Sequence, residues 1–304
     1  MKRLMVFGIF VFVLISFFTF GQSAFAQSGL TKIADNVYSY VDVKGAAPQN
    51  SFGANAGIII GKDSIVVIDT LISAKEAKRF IEDIRKISDK PIKYVVNTHF
   101  HLDHTFGNSE FAKLGAIIIA QASDNESLQK NGEATLKNAS AYGLSEKDME
   151  GTKIAYPQLS FNDKLGIDLG EQKIELIYAG PSHTGGSILV YLPDKKILFA
   201  GDVLFTNYHP YIADGDIKSW GRVLDYIMKM DVATIIPGHG AVSTKKDVTD
   251  MKAYLIAFDK NAKKLSAKSK DGEYIFAEIK KILPVRAELG AIIKANLQMK
   301  YLKK

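Results

Sequence analysis

The 304-residue chain is 47% apolar and 24% charged, a balance that supports a sizeable packed core and excludes a disordered, collagen-like or polytopic membrane protein. Cysteine is absent, so disulfides, thiolate metal sites, iron–sulfur clusters and thiol nucleophiles are excluded, and any metal must be held by His, Asp or Glu. The formal net charge of +6 is concentrated at the ends: 12 Lys+Arg stand against 5 Asp+Glu from Asp259 onward, two positive residues open the chain, and the stretch between is left at −3.

In chain order, Lys2 and Arg3 precede a nearly unbroken apolar run over residues 4–20, and Ala24-Phe25-Ala26 follows with small residues at the cleavage positions. This pattern predicts a secretory leader over residues 1–26, cut between Ala26 and Gln27, and a mature protein that is secreted or periplasmic. Residues 54–68 predict a β-hairpin that turns at Gly61-Lys62-Asp63 and ends at Asp69. Ser73, with Glu76 three residues on, predicts a capping box, and Ala77, Phe80, Ile81, Ile84 and Ile87 repeat at helical spacing before Pro91. Residues 92–96 predict a short strand that runs into Thr98-His99-Phe100-His101-Leu102-Asp103-His104. Residues 122–142 read as a polar helix, followed by a looser stretch to Gln158 and a strand-like segment over 174–178.

A second hairpin is predicted from residues 187–192 and 196–200 around Pro193-Asp194, ending at Gly201-Asp202. Asp216 then caps a helix whose Ile217, Trp220, Val223, Leu224 and Ile227 share one face. Residues 232–236 form a strand that ends in Pro237-Gly238-His239-Gly240. The order hairpin, Asp, helix, strand, His therefore occurs twice, which predicts two pseudo-equivalent α/β halves with their sheets packed together and helices outside. Beyond Thr244 two or three amphipathic helices are expected, with breaks near Asp271-Gly272 and Pro284. Their lysines are interspersed with apolar residues and form no aromatic-interleaved basic stripe, so the tail reads as a solvated helix face and not as a nucleic-acid surface.

Three of the six histidines fall within six positions, with an Asp among them. His183 and His239 sit in glycine-rich turns after strands, where the backbone bends sharply enough to aim an imidazole into a pocket at the sheet edge. Neutral imidazole and carboxylate bind borderline divalent cations such as zinc, and imidazole also suits iron and copper. Five His and two Asp exceed one tetrahedral site and fit two ions sharing a carboxylate. Two cations roughly 3.5–4 Å apart lower the pKa of a bridging hydroxide, keep it nucleophilic and polarise the group it attacks. Ser182 reads as a turn residue and not a nucleophile, and Trp220 as core. His209, Tyr208 and Tyr211 read first as ordinary loop residues and second as lining for a substrate mouth.

The ordered set His99-x-His101-x-Asp103-His104, His183, Asp202 and His239 resembles the metallo-β-lactamase fold superfamily over about residues 33 to 244. The resemblance implies an α/β four-layer αβ/βα sandwich over residues 27–244, with residues 245–304 as a C-terminal helical extension packed on it. It implies two zinc ions per chain, with iron as the other candidate metal: His99, His101 and His183 hold one, Asp103, His104 and His239 hold the second, and Asp202 bridges. Asp103 is at once ligand and candidate proton carrier, and Asp69 resembles the family's acid that steadies the histidine loop. With Asp202 and no cysteine ligand, the set is similar to glyoxalase II and the lactonases rather than to the cysteine-containing zinc β-lactamases. The implied activity is hydrolysis of an ester, thioester, lactone or lactam carbonyl in a small-molecule substrate by a metal-bridging hydroxide, with no nucleic acid and no stable membrane insertion after leader removal. The same superfamily offers two alternatives. One is a mononuclear iron persulfide dioxygenase using His99, His183 and Asp202, and the other a non-enzymatic periplasmic metal-binding accessory protein.

Overall fold

In Ile65-Val66-Val67-Ile68 every side chain is buried, which a strand allows only when both of its faces are covered. Alternate residues show what covers them. Ile65 and Val67 pack with Ala77, Phe80 and Ile84 of a helix, while Val66 and Ile68 pack with Ile174, Leu176, Val190 and Phe199 of a second sheet. The computed structural model describes residues 29–302, so the predicted leader and its cleavage site lie outside the described residues.

The first sheet holds β1 (Thr31–Ala34), β2 (Val37–Ser39), β3 (Gly57–Ile60), β4 (Ile65–Ile68), β5 (Ile92–Val96), β6 (Ile117–Gln121) and β7 (Leu159–Phe161), in that spatial order. The second runs β12 (Thr234–His239), β11 (Ile197–Phe205), β10 (Leu189–Leu192), β9 (Lys173–Ile177) and β8 (Lys164–Asp168). Helices α1 (Ala74–Arg85) and α3 (Asn108–Ala112) cover the outer face of the first sheet, and α4 (Ala122–Lys137) connects β6 to the segment before β7. Helices α5 (Ile217–Lys229), α6 (Lys245–Lys268), α7 (Gly272–Ile282) and α8 (Ile292–Asn296) share a core with the outer face of the second. The layers are therefore helix, sheet, sheet, helix: the four-layer αβ/βα sandwich expected. Each fully buried Ile, Val or Leu contributes roughly 1.5–3 kcal/mol, and the sheet-to-sheet core contains little else. Among the described residues no helix is long and apolar enough to cross a membrane.

The twofold repetition is present in strand pairing. β3 pairs antiparallel with β4, which pairs parallel with β5. β10 pairs antiparallel with β11, which pairs parallel with β12. In each half a helix, α1 or α5, makes the crossover between the parallel strands. The two sets of strand ends meet at one edge of the sandwich, where α2 (Leu102–Thr105) carries part of the histidine loop.

Several local expectations need correction. Ser73 accepts from the Glu76 amide, but Glu76 pairs with Arg79 at 2.9 Å instead of reaching back, so the capping box is only half formed. β11 does not stop at Gly201-Asp202 but continues to Phe205 through two irregularities in its pairing with β12. His239 is the last residue of β12 rather than part of a turn after it. The structure adds strands β1, β2, β6, β7 and β8, of which β1, β7 and β8 are largely exposed and give little hydrophobic signal, while β6 is mostly buried.

Candidate metal centre

Seven side chains converge at the sandwich edge. His99, His101, His183 and Asp202 form one group and Asp103, His104 and His239 a second, with the potential ligand atoms within each group no more than 4.8 Å apart. Asp202 stands between them. Its Oδ2 lies 3.2 Å from His183 Nε2 and 3.7 Å from His99 Nε2, while its Oδ1 lies 3.2 Å from His104 Nε2 and 3.5 Å from His239 Nε2. One carboxylate oxygen therefore faces each group. Asp103 Oδ2 closes the second group at 3.3 Å from His239 and 3.5 Å from His104.

Each imidazole is aimed by a contact on its other nitrogen. His104 Nδ1 lies 2.8 Å from Asp69, and His99 Nδ1 lies 3.1 Å from Thr98 Oγ1. His183 Nδ1 donates to the Tyr211 carbonyl at 3.0 Å and His239 Nδ1 to the Phe52 carbonyl at 3.1 Å. His101 is reversed: its Nε2 meets Asp214 at 3.0 Å, and its Nδ1 faces His183 Nε2 at 2.8 Å. Such outer contacts select the tautomer and leave the inner nitrogen's lone pair toward the centre.

The backbone is bent to make these contacts. Asp69 (φ 58°) and Leu71 (φ 68°) are left-handed without being glycine, a strain of about 1–3 kcal/mol each. That turn lets the Asp69 carboxylate accept from the Thr98 amide and hydroxyl, at 2.8 and 2.7 Å, as well as from His104. Ser51 (φ 57°) and Phe52 (φ 52°) are similarly strained and present the Phe52 carbonyl to His239. At Gly238 a Cβ would fall 1.9 Å from Asp202 Oδ1, so only glycine lets the two strand ends approach this closely.

Burial and mutual charge sort the groups. Burial, joined by the charge of neighbouring imidazoles, holds His99 well below its ordinary value and His183 at about 3. Burial also opposes protonation of His104 and His239, yet the Asp202 and Asp103 carboxylates outweigh it, raising His104 well above its ordinary value and His239 to about 9. For Asp202 and Asp103 burial is likewise overcome, here by the surrounding imidazoles, and both are held well below the usual carboxylate range.

A centre of this donor type calls for a cation, and a specific observation tests the fit. His99 Nε2, His104 Nε2 and Asp202 Oδ1 are fully buried and form no hydrogen bond within the protein, although His104 Nε2 and Asp202 Oδ1 are only 3.2 Å apart. A buried polar atom without a partner costs about 1–3 kcal/mol. His99 Nε2 lies in the first group, while His104 Nε2 and Asp202 Oδ1 face the second, so metal coordination in both groups fits these three atoms.

All seven residues singled out from the sequence are thus brought together, and Asp69 joins them from behind. Trp220 is core as expected, its Nε1 donating to the Val203 carbonyl, and its ring also meets the edge of His183 at 5.4 Å. His209 turns away and bonds Tyr254 at 2.7 Å, whereas Tyr211 places its ring 5.6 Å from His101. Two acids escaped the sequence reading. Asp214 orients His101, and Asp124, pushed up to about 6 mainly by burial, accepts from the Phe100 amide, the Thr184 hydroxyl and the Gly186 amide, tying two histidine-bearing loops together. No motif marks either one, because each acts through residues distant in the chain.

A family model described as the metallo-beta-lactamase superfamily matches residues 50–239. Among curated proteins, a linear primary-alkylsulfatase from a Pseudomonas strain is 28% identical over 64% of this chain, which spans only 43% of that relative's length. A type 2 metallo-beta-lactamase from Bacteroides fragilis is 25% identical over 76% of this chain and 89% of its own. Among solved structures, a metallo-beta-lactamase from Pontibacter korlensis superposes with a TM-score of 0.60 at 21% identity, covering 75% of this chain and 98% of its own; that likeness shows the fold.

Proposed function

This chain belongs to the metallo-β-lactamase superfamily and carries the fold and His/Asp clusters of a metal-dependent hydrolase; on that premise we propose that it is an exported hydrolase that works with two zinc ions. The observation that carries the reading is the division of Asp202, one oxygen toward each group of imidazoles. His99, His101 and His183 would hold one ion, Asp103, His104 and His239 the other, and Asp202 both. Bound together, the two ions would supply Lewis acidity, lowering the pKa of a water and polarising the scissile group.

The chain's own part is orientation and proton handling. Asp69, Asp214 and the carbonyls of Tyr211 and Phe52 fix the imidazole tautomers. Asp103 is the group proposed to carry a proton between the attacking and leaving atoms, since its carboxylate sits at the centre, 3.3 Å from His239 and 3.5 Å from His104. The substrate proposed is a small molecule with an ester, thioester, lactone or lactam carbonyl. The relatives bear names as different as alkylsulfatase and β-lactamase, so a sulfate ester belongs in the same panel. Export is supported by the leader-like composition of residues 1–26.

Elemental analysis of protein purified without added metal tests this directly. Two equivalents of zinc, with turnover of one probe class abolished by a chelator and restored by zinc, are expected. One equivalent of iron with oxygen uptake on a persulfide would overturn the reading, and full metal loading without turnover on any probe would leave a metal-binding accessory protein instead.

A further inference from the structure

The outer nitrogens of His101 and His183 are both held by one short segment, through the Asp214 carboxylate and the Tyr211 carbonyl. That segment belongs to the connection between β11 and α5, residues 206–216, which has no regular secondary structure of its own. Something else must hold it, because an unsupported loop cannot fix an imidazole to the fraction of an ångström that a metal site needs.

The support comes from the C-terminal extension. Asn296, 1% exposed, uses both ends of its carboxamide on this loop: Oδ1 accepts from the Ile212 amide at 2.8 Å, and Nδ2 donates to the Pro210 carbonyl at 2.8 Å. These two residues flank Tyr211. Lys300 donates to the carbonyls of Gly215 at 2.6 Å and Ala213 at 3.4 Å, which flank Asp214. At the other end of the connection Arg286 donates to the carbonyls of Phe205 and Tyr208, and the Glu288 carbonyl accepts from the His209 amide. The clamp is itself fixed, since Ile293 and Leu297 on either side of Asn296 are buried in the core shared with α5 and α6.

We infer that the C-terminal extension is a working part of the metal centre, with Asn296 as a positioning residue that acts through the Tyr211–Asp214 loop on His101 and His183. The inference rests on the two-metal reading above, and it predicts an asymmetry. The outer nitrogens of His104 and His239 are held by Asp69 and Phe52, which come from other parts of the fold. Loosening the tail at Asn296 or Lys300, whose contacts flank Tyr211 and Asp214, therefore weakens one metal and spares the other.

The test is a competition titration of the metal-free full chain with zinc against a chromophoric chelator, together with amide hydrogen exchange at Ile212. Asn296→Ala is expected to weaken one of the two zinc equivalents by about tenfold, the lower end of what loss of an outer-shell partner does, with the second unchanged and Ile212 exchange accelerated. Asn296→Asp sets a buried carboxylate against the Pro210 carbonyl and should weaken the same equivalent at least as much as Asn296→Ala. Lys300→Met, at a more exposed position, should show the same selective loss at a few-fold and serves if Asn296→Ala does not fold. Two unchanged zinc affinities, or two that fall together in step with melting temperature, overturn the inference. If the wild-type chain binds a single zinc, the dinuclear reading fails on its own; weakening of that one equivalent by Asn296→Ala then supports the role of the tail, and no weakening overturns it.

Discussion

Asp69 and Asp202 occupy corresponding places in the two halves: each follows or lies near the end of the second hairpin strand, beside a strand that pairs parallel with it. Their surroundings nevertheless give them opposite tasks. Asp69, in a left-handed turn, faces backward to hold Thr98 and His104. Asp202 sits inside a strand that continues past it and faces forward, into both groups of imidazoles. The halves share strand order and crossover, yet one contributes a loop with four of the candidate ligands and the other separated single residues. Repetition of a scaffold thus reproduces where side chains can be placed, while local backbone bends decide what they face.

The sharpest way to break this comparison is to remove the two acids in turn. Asp202→Ala should lower turnover by about a thousandfold or more, the equivalent of several kcal/mol of lost metal assistance, and bring metal content below two equivalents. Asp69→Ala should leave both equivalents able to bind but cost roughly 10–100-fold in affinity or rate. Equal effects on metal stoichiometry would show that the two positions are not functionally divided.

A smaller effect is expected from crowding the seam between the halves. Gly238→Ala places a methyl group against the Asp202 carboxylate and should destabilise the metal-free protein by about 1–3 kcal/mol, while weakening metal binding. Urea unfolding of the metal-free variant, followed by zinc titration, reads both quantities.

The smallest effect compares acids on the two crossover helices. Asp83 on α1 is buried and accepts from Tyr40 at 2.7 Å, the Gly29 amide at 3.1 Å and Lys86 at 2.7 Å. Burial acts against its charge, but these partners prevail and hold its pKa below the ordinary value. A carboxylate with a depressed folded pKa stabilises the protein above its unfolded value near about 4 and loses that contribution as pH falls through the folded value. Asp83→Asn should therefore cost about 1 kcal/mol at neutral pH and flatten the acid limb of the stability curve. Asp225 on α5 meets Lys252 at 2.6 Å with both side chains partly exposed, and Asp225→Asn should change stability by no more than about 0.5 kcal/mol. Thermal melts at pH 7 and pH 3.5 distinguish the two.

The candidate ligands were legible because metal chemistry restricts residue type, and His99 to His104 bring four of them together in local sequence. The strand of residues 92–96 and the helix behind Asp216 were equally plain, since a short apolar run, a 3.6-residue period and a capping Asp are local signals. Strands β7 and β8 carried too few buried residues to announce themselves, and the continuation of β11 past Asp202 depends on pairing with β12, which no local pattern encodes.

From the amino-acid order came the absence of thiol chemistry, the candidate ligands and the repeated halves, consequences of side-chain chemistry and hydrophobic periodicity, and, through the resemblance they carry, the four-layer sandwich. Tertiary structure alone decided which nitrogen of each histidine points inward, that Asp202 divides its oxygens between two groups, and that Asp124, Asp214 and the C-terminal Asn296 support the centre. Those outcomes arise from contacts between segments as many as 187 residues apart, as with His239 and Phe52, and such contacts exist only once the buried faces have packed and brought the loops to one edge.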